Sequence, residues 1–205
     1  MSSKYAVSDD PACYPGTSVL RNKLNIIDPD TLQAAEAAFA ATALETIEID
    51  APPFDLAYLC SLHRQLFDEV YEWAGTLRTV DIAKGTTRFC NSARIEPETN
   101  RLLSALDATD LGSLSRPEQI RLIAEFYGEL NMVHPFREGN GRTQRLFFEH
   151  WLLLNGLAVA WRRIDATQWV QACVAAVHCD HVALQTVFDA CIDQINPQEA
   201  DPEFR

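Results

Sequence analysis

Apolar residues recur at three- and four-residue steps along much of the chain, and each such stretch predicts a helix with one buried face. Leu56, Leu59, Leu62, Leu66, Phe67 and Val70 form the first clear stripe, and Asp55 stands where a helix N-cap belongs. Ile120, Ile123, Phe126, Tyr127 and Leu130 form a second, behind Ser115-Arg116-Pro117-Glu118, a Ser-x-x-Glu capping box with an internal proline. A third helix is expected to start near Asn140 to Arg142, with Leu146, Phe147, Trp151 and Leu154 inward and Gly156 as its stop. Two more follow, capped by Thr167 and Asp180, with Val170, Cys173, Val174 and Val177 on one stripe and Leu184, Val187, Phe188, Cys191 and Ile195 on the other. Earlier in the chain, Asp28-Pro29 reads as a cap and a first-turn proline ahead of an alanine-rich helix from Asp30 to about Thr46.

The pattern changes after Trp73-Ala74-Gly75. Leu77, Val80, Ile82, Phe89 and Ile95 sit in short mixed segments around Lys84-Gly85-Thr86-Thr87, which predicts a small hairpin. The fold class is therefore mainly helical, with one hairpin ahead of the helix pair that meets at His134. Residues 1–54 read as an N-terminal arm and helix packed on the core, 55–196 as the main domain and 197–205 as a frayed tail.

The 205 residues suffice for one domain, and no run of about 18 apolar residues crosses a bilayer, so a cytoplasmic location is expected. A net charge of -12 argues against a broad grip on nucleic acid, so any phosphate ligand has to be held locally. The six cysteines are scattered without a Cys-x-x-Cys pair and read as reduced core residues. His178-Cys179-Asp180-His181 is too closely spaced for one tetrahedral metal site and reads as a junction between helices. His63 and His150 fall within helical stripes, as residues at the edge of the core.

The chemistry concentrates between two of the helices, in His134-Pro-Phe-Arg-Glu-Gly-Asn-Gly-Arg-Thr-Gln-Arg145. Gly139 and Gly141 allow positive φ and close approach of a ligand, and the helix behind them offers N–H groups and the positive end of its dipole to an anion. Arg142 and Arg145, three apart, can clamp further phosphate oxygens, which suits a polyphosphate. Glu138 supplies the one carboxylate that Mg²⁺ takes from protein when phosphates fill the rest of its shell. His134, with an ordinary pKa of about 6.5, suits removal of a hydroxyl proton. Phe136 is expected to pack inward and pin the loop, and Arg137 to be solvated.

Every fixed position of this segment matches the motif His-x-Phe-x-Asp/Glu-Gly-Asn-Gly-Arg-x-x-Arg, and the chain resembles the Fic family on that ground. The likeness extends over about residues 55 to 195, and the arm at Asp9-Asp10-Pro11 with Tyr14-Pro15-Gly16 resembles the start of stand-alone bacterial Fic toxins. The resemblance implies a helical Fic bundle and transfer of AMP from ATP to a Tyr, Ser or Thr hydroxyl of a target protein. It implies His134 as the base, Glu138 as the Mg²⁺ ligand, Gly139, Asn140 and Gly141 as the phosphate cradle, and Arg142 and Arg145 on the β- and γ-phosphates. By the same likeness Lys84, Gly85, Thr86 and Thr87 line the nucleotide pocket, while Thr86, Thr87, Arg88 and Phe89 form a flap that docks an extended segment of the target.

The family's inhibitory pattern, Ser/Thr-x-x-x-Glu-Gly/Asn, does not occur within the chain: the only Glu followed by Gly or Asn is Glu138, and His134 stands four residues before it. The resemblance thus implies constitutive activity or a small helical antitoxin whose glutamate faces Arg145. Type II topoisomerase subunits are targets within the family, though no residue here selects them. Two other readings remain open: a nucleotide-binding regulatory module without turnover, and a transferase using another nucleotidyl or phospho-donor. A histidine at the mouth of the cradle disfavours the first, and two intact motif glycines disfavour the second.

Overall fold

In the computed structural model, residues 10, 12–49 and 53–195 are described; the tail 197–205 and most of the first eleven residues lie outside them. Among the described residues the regular structure comprises seven α-helices, three single-turn 3₁₀ helices and two two-stranded antiparallel sheets. The helices are α1 (Pro29–Leu44), α2 (Leu56–Phe67), α3 (Ile95–Asp107), α4 (Arg116–Val133), α5 (Asn140–Leu154), α6 (Ala166–Val177) and α7 (Val182–Cys191). The strands β1 (Ala83–Lys84) and β2 (Thr87–Arg88) pair with each other, as do β3 (Leu157–Val159) and β4 (Ile192–Gln194).

The caps behave as their side chains dictate. Asp28 accepts from Thr31 N at 2.8 Å and Asp55 from Tyr58 N at 2.9 Å, each satisfying a first-turn N–H with no intrahelical acceptor. The Ser115–Glu118 box opens α4, with Ser115 N donating to Glu118 Oε2 at 2.9 Å. Gly156, at φ +75°, ends α5 in the left-handed conformation that glycine adopts without cost.

Several expectations are corrected. The helix α3 was not anticipated, although Ile95, Thr99, Leu102, Leu103 and Leu106 make its buried stripe and Glu96 and Glu98 stand in its first turn. The cap of α6 is Asp165, which accepts from Thr167 N and Gln168 N at 2.9 Å, rather than Thr167. His181 takes the cap position of α7, with Asp180 accepting from Val182 N at 3.1 Å. On α6 the buried residues are Ala172 and Ala176, whereas Val170 and Val174 are exposed, as is Leu154 on α5. A second sheet joins the expected flap hairpin because β3 finds β4 across two intervening helices, and Ile195 falls outside α7. The cysteines divide: Cys13 and Cys191 are buried, Cys60, Cys90 and Cys173 half-buried and Cys179 exposed.

The described residues divide into two compact units, one of those up to 107 together with 132–143, the other of 108–131 and 144–195, and the division falls within α4 and α5. In the first, α2 lies against α1 and α3, burying Leu59, Leu62, Leu66 and Phe67 with Leu102, Leu103 and Leu106. In the second, Tyr127, Phe148, Trp161, Trp169 and Phe188 form a cluster of mostly edge-to-face rings, for example Trp169 on Phe188 at 5.8 Å and 87°. Packing of this kind orders the helices within each unit, and residues 134–139 link the end of α4 to the start of α5 along the chain.

Candidate functional site

The helix α4 stops at Val133 because the following residue precedes a proline and has left-handed backbone, with φ +49° at His134. A helix ending this way leaves carbonyls without partners, and Arg78 meets them. Its Nε donates to His134 O at 2.8 Å and its Nη2 to Val133 O at 3.2 Å. The same guanidinium donates to Val80 O at 2.7 Å and Cys90 O at 2.5 Å, on the segments flanking the β1–β2 flap. Arg78 is buried, and one side chain thereby ties the flap to the residue that opens the motif. Nothing in Leu77-Arg78-Thr79-Val80 signals this role. Asp81 closes the flap's base by accepting from Ser92 N at 2.7 Å and Asn91 Nδ2 at 2.9 Å.

Phe89, just past β2, stacks on the His134 imidazole with ring centroids 3.9 Å apart and planes 15° apart. The ring is thus held from the flap side while its backbone is held by Arg78. Lys84, Gly85, Thr86 and Arg88 are exposed on the flap, Thr87 is half-buried, and Gly85 turns the chain at φ +60°.

Phe136 points inward as expected, at 1% exposure, and lies against His63 with centroids 3.9 Å apart. Asn140 pins it from the other side: its Oδ1 accepts from Phe136 N at 2.8 Å and its Nδ2 donates to Phe136 O at 2.7 Å. The Asn140 amide is therefore committed to the loop backbone. Arg137 is not solvated; it is buried and paired with Asp10 at 2.6 Å, because the arm preceding α1 supplies a carboxylate that local sequence could not reveal.

His63 is fully buried, a correction to its reading as an edge residue. Its Nδ1 accepts from Gly75 N at 2.8 Å, which leaves Nε2 as the donor to Glu138 O at 3.0 Å and so selects the Nε2–H tautomer. Burial pushes its pKa down to about 4. The neutral ring is favoured on folding, so its contribution to stability is complete above the unfolded value of about 6.5. It is lost as pH falls from there towards 4, a change of about 3 kcal/mol at most. We expect chemical-denaturation midpoints to fall between pH 6.5 and 4 in the intact chain, and much less so in His63→Gln, a difference that parallel urea titrations check.

Gly139, at φ +78°, is the turn that starts α5, and its carbonyl accepts from Arg142 N and Thr143 N at 3.1 Å. Its own N–H donates to Glu138 Oε1 at 2.9 Å. Gly141 does not share the positive φ; it is the second residue of α5, where the N–H groups of a first turn face outward from the helix end. Arg142 lies over the Phe67 ring, 4.6 Å from its centroid, and is paired with Glu36 of α1 at 2.6 Å. Arg145 sits one turn further along α5, three residues from Arg142. The residues His178 to Asp180 form the turn after α6, and among the described residues no group of three His, Cys, Asp or Glu side chains is placed to hold a metal ion.

The loop and flap just described carry the motif on a helix-loop-helix frame, and residues 53–152 match the Fic/DOC family. Over 202 residues the chain is 40% identical to the probable protein adenylyltransferase Fic of Salmonella typhimurium, covering 97% of this chain and all of that one. The chain belongs to the Fic/DOC family. Its Fic frame is also 34% identical to the protein adenylyltransferase VbhT of Bartonella schoenbuchensis, over 85% of this chain and 37% of that one. Among solved Fic structures, BepC of Bartonella tribocorum with bound AMPPNP superposes with TM-score 0.81 at 26% identity, covering 90% of this chain and 97% of the other. An N-terminal Fic domain from Bartonella quintana with bound ADP gives TM-score 0.81 at 28% identity, over 90% and 95% of the two chains.

Proposed function

We propose that this Fic/DOC protein is a protein adenylyltransferase, transferring AMP from ATP to a Tyr, Ser or Thr hydroxyl of a target protein. The observation that carries the reading is the preorganised loop from His134 to Gly139. His134 is held by Arg78 and Phe89, Phe136 by His63 and Asn140, and Glu138 by His63. Reactions at phosphorus gain most from such positioning. Relatives named as adenylyltransferases, and Fic structures holding AMPPNP or ADP, support the same chemistry.

In this reading the His134 imidazole takes the hydroxyl proton as that oxygen bonds to the α-phosphorus, and the bond to the pyrophosphate oxygen breaks. The N–H groups of Asn140 and Gly141 at the start of α5 and the Arg142 and Arg145 guanidiniums bind the phosphates. Lys84 to Thr87 face the nucleotide, and Thr86 to Phe89 receive the target segment as an added strand. Magnesium asks for one or two carboxylates beside substrate phosphates, and Glu138, at the loop that opens α5, fits that demand. When bound, the cation neutralises charge on the departing pyrophosphate.

The finer partners belong to the same proposal. A small helical antitoxin carrying Ser/Thr-x-x-x-Glu-Gly/Asn would set its glutamate against Arg145, and a type II topoisomerase subunit is the target class the family suggests. The catalytic span is 55–196, with the arm and α1 as an appendage to it. The reaction is proposed to take place in the cytoplasm; no helix among the described residues is long and apolar enough to cross a membrane.

Incubation in a bacterial lysate with ATP labelled on either the α- or the γ-phosphate tests the reaction. Label is expected on protein from the α-phosphate alone. Label from the γ-phosphate would make the chain a kinase, and no label from either would leave it a nucleotide-binding module.

A further inference from the structure

Arg142 stands between two carboxylates. Glu138 lies four residues before it, in the loop that leads into α5, and their closest atoms are 4.0 Å apart, the outer limit of an ion pair. Glu36, from α1, holds the same Nη2 at 2.6 Å. Its carboxylate is fixed on the other side too, because Oε1 accepts the Tyr71 hydroxyl. Burial, reinforced by the Glu36 charge, pushes the Tyr71 hydroxyl's pKa up, so it stays a donor.

Glu36 is one of three buried residues on α1, with Leu32 and Ala40, in an otherwise alanine-rich helix. Packing there would be served as well by an apolar side chain, and a buried carboxylate is a costly choice where only packing is needed. It also lies outside the 53–152 segment that matches the family.

We propose that Glu36 is a positioning residue of the nucleotide site, one that draws Arg142 onto α1 and so keeps the guanidinium from closing on Glu138. This rests on the reading of Glu138 as the carboxylate that receives the divalent cation. An arginine drawn in from 4.0 Å to direct hydrogen-bonding distance of Glu138 would compete for the same oxygen and offset more of the charge that attracts the cation. With Glu36 in place, the guanidinium is paired at Nη2 while it lies over Phe67, and its other N–H groups are the ones offered to phosphate oxygens. The negative charge of Glu36 thus protects the function of Glu138 without touching the ligand.

The test is a magnesium titration of binding of a fluorescent, non-hydrolysable ATP analogue to the full chain, so that turnover plays no part. Glu36→Gln is expected to raise the magnesium midpoint about fivefold or more, the scale of one close charge pair. In an Arg142→Gln background the same substitution should move it less than about twofold, since no guanidinium remains to close on Glu138. An unchanged midpoint in Glu36→Gln, or an equal shift in both backgrounds, overturns the proposal. Glu36→Asp keeps the charge but withdraws it, and should shift the midpoint in the same direction by less; should Glu36→Gln fail to fold, no shift in Glu36→Asp overturns the proposal instead. If the unaltered chain binds the analogue with no response to magnesium, the cation reading of Glu138 fails, and this inference with it. Binding with a normal magnesium response but no effect of Glu36 overturns this inference alone.

Discussion

Replacing His134 should abolish AMP transfer while nucleotide binding survives. The imidazole handles the acceptor's proton and makes no essential phosphate contact in the proposed reaction, and loss of such a base costs on the order of 10²- to 10⁴-fold in rate. Because His134 has φ +49°, a conformation that histidine and asparagine adopt more readily than alanine, alanine there carries an extra backbone cost that has nothing to do with chemistry. Asparagine tolerates the left-handed conformation, so His134→Asn separates the two effects. Both variants are expected to bind a fluorescent ATP analogue within about threefold of the unaltered chain and to transfer no detectable α-label. Transfer retained in His134→Asn would remove the histidine from its role.

Gly139→Ala is expected to damage both stability and binding. A Cβ at that position would overlap the Phe67 ring, coming within 2.5 Å of Cζ, and φ +78° is strained for any L side chain. Phe67 has no room to retreat, being 1% exposed and covered by the Arg142 guanidinium. Overpacking and backbone strain together should cost about 2–5 kcal/mol, read as a lower urea midpoint at constant slope. Displacing Phe67 would also move Arg142, so nucleotide affinity should fall more than stability alone explains. A variant of unchanged stability would mean that the loop relaxes around the added methyl group.

Much of the fold was legible because its signals are local. The Asp28 and Asp55 caps, the Ser115–Glu118 box and the Gly156 stop act over four residues or fewer, and the chain realises each of them. The errors fall where a local signal competes with a distant one. Strand β3 has only three residues and depends on a partner beyond two helices, so no periodicity announces it. The valines of α6 have the right spacing for a buried stripe, but the tertiary fold buries Ala172 and Ala176 instead. Arg137 looked like a solvated cation because its counter-ion, Asp10, lies 127 residues away.

What the sequence by itself determined is the chemistry available: a histidine, a carboxylate, two glycines, an amide and three arginines in twelve residues at the junction of two helices. Such a cluster is readable because its members are neighbours along the chain. What only the tertiary structure decided is how those groups are held. His63 reaches Glu138 across 75 residues, Arg78 reaches His134 across 56, and Glu36 reaches Arg142 across 106. A hydrogen bond depends on separation in space, and over such distances along the chain that separation is set by how α1, α2 and the flap pack, which no local pattern encodes.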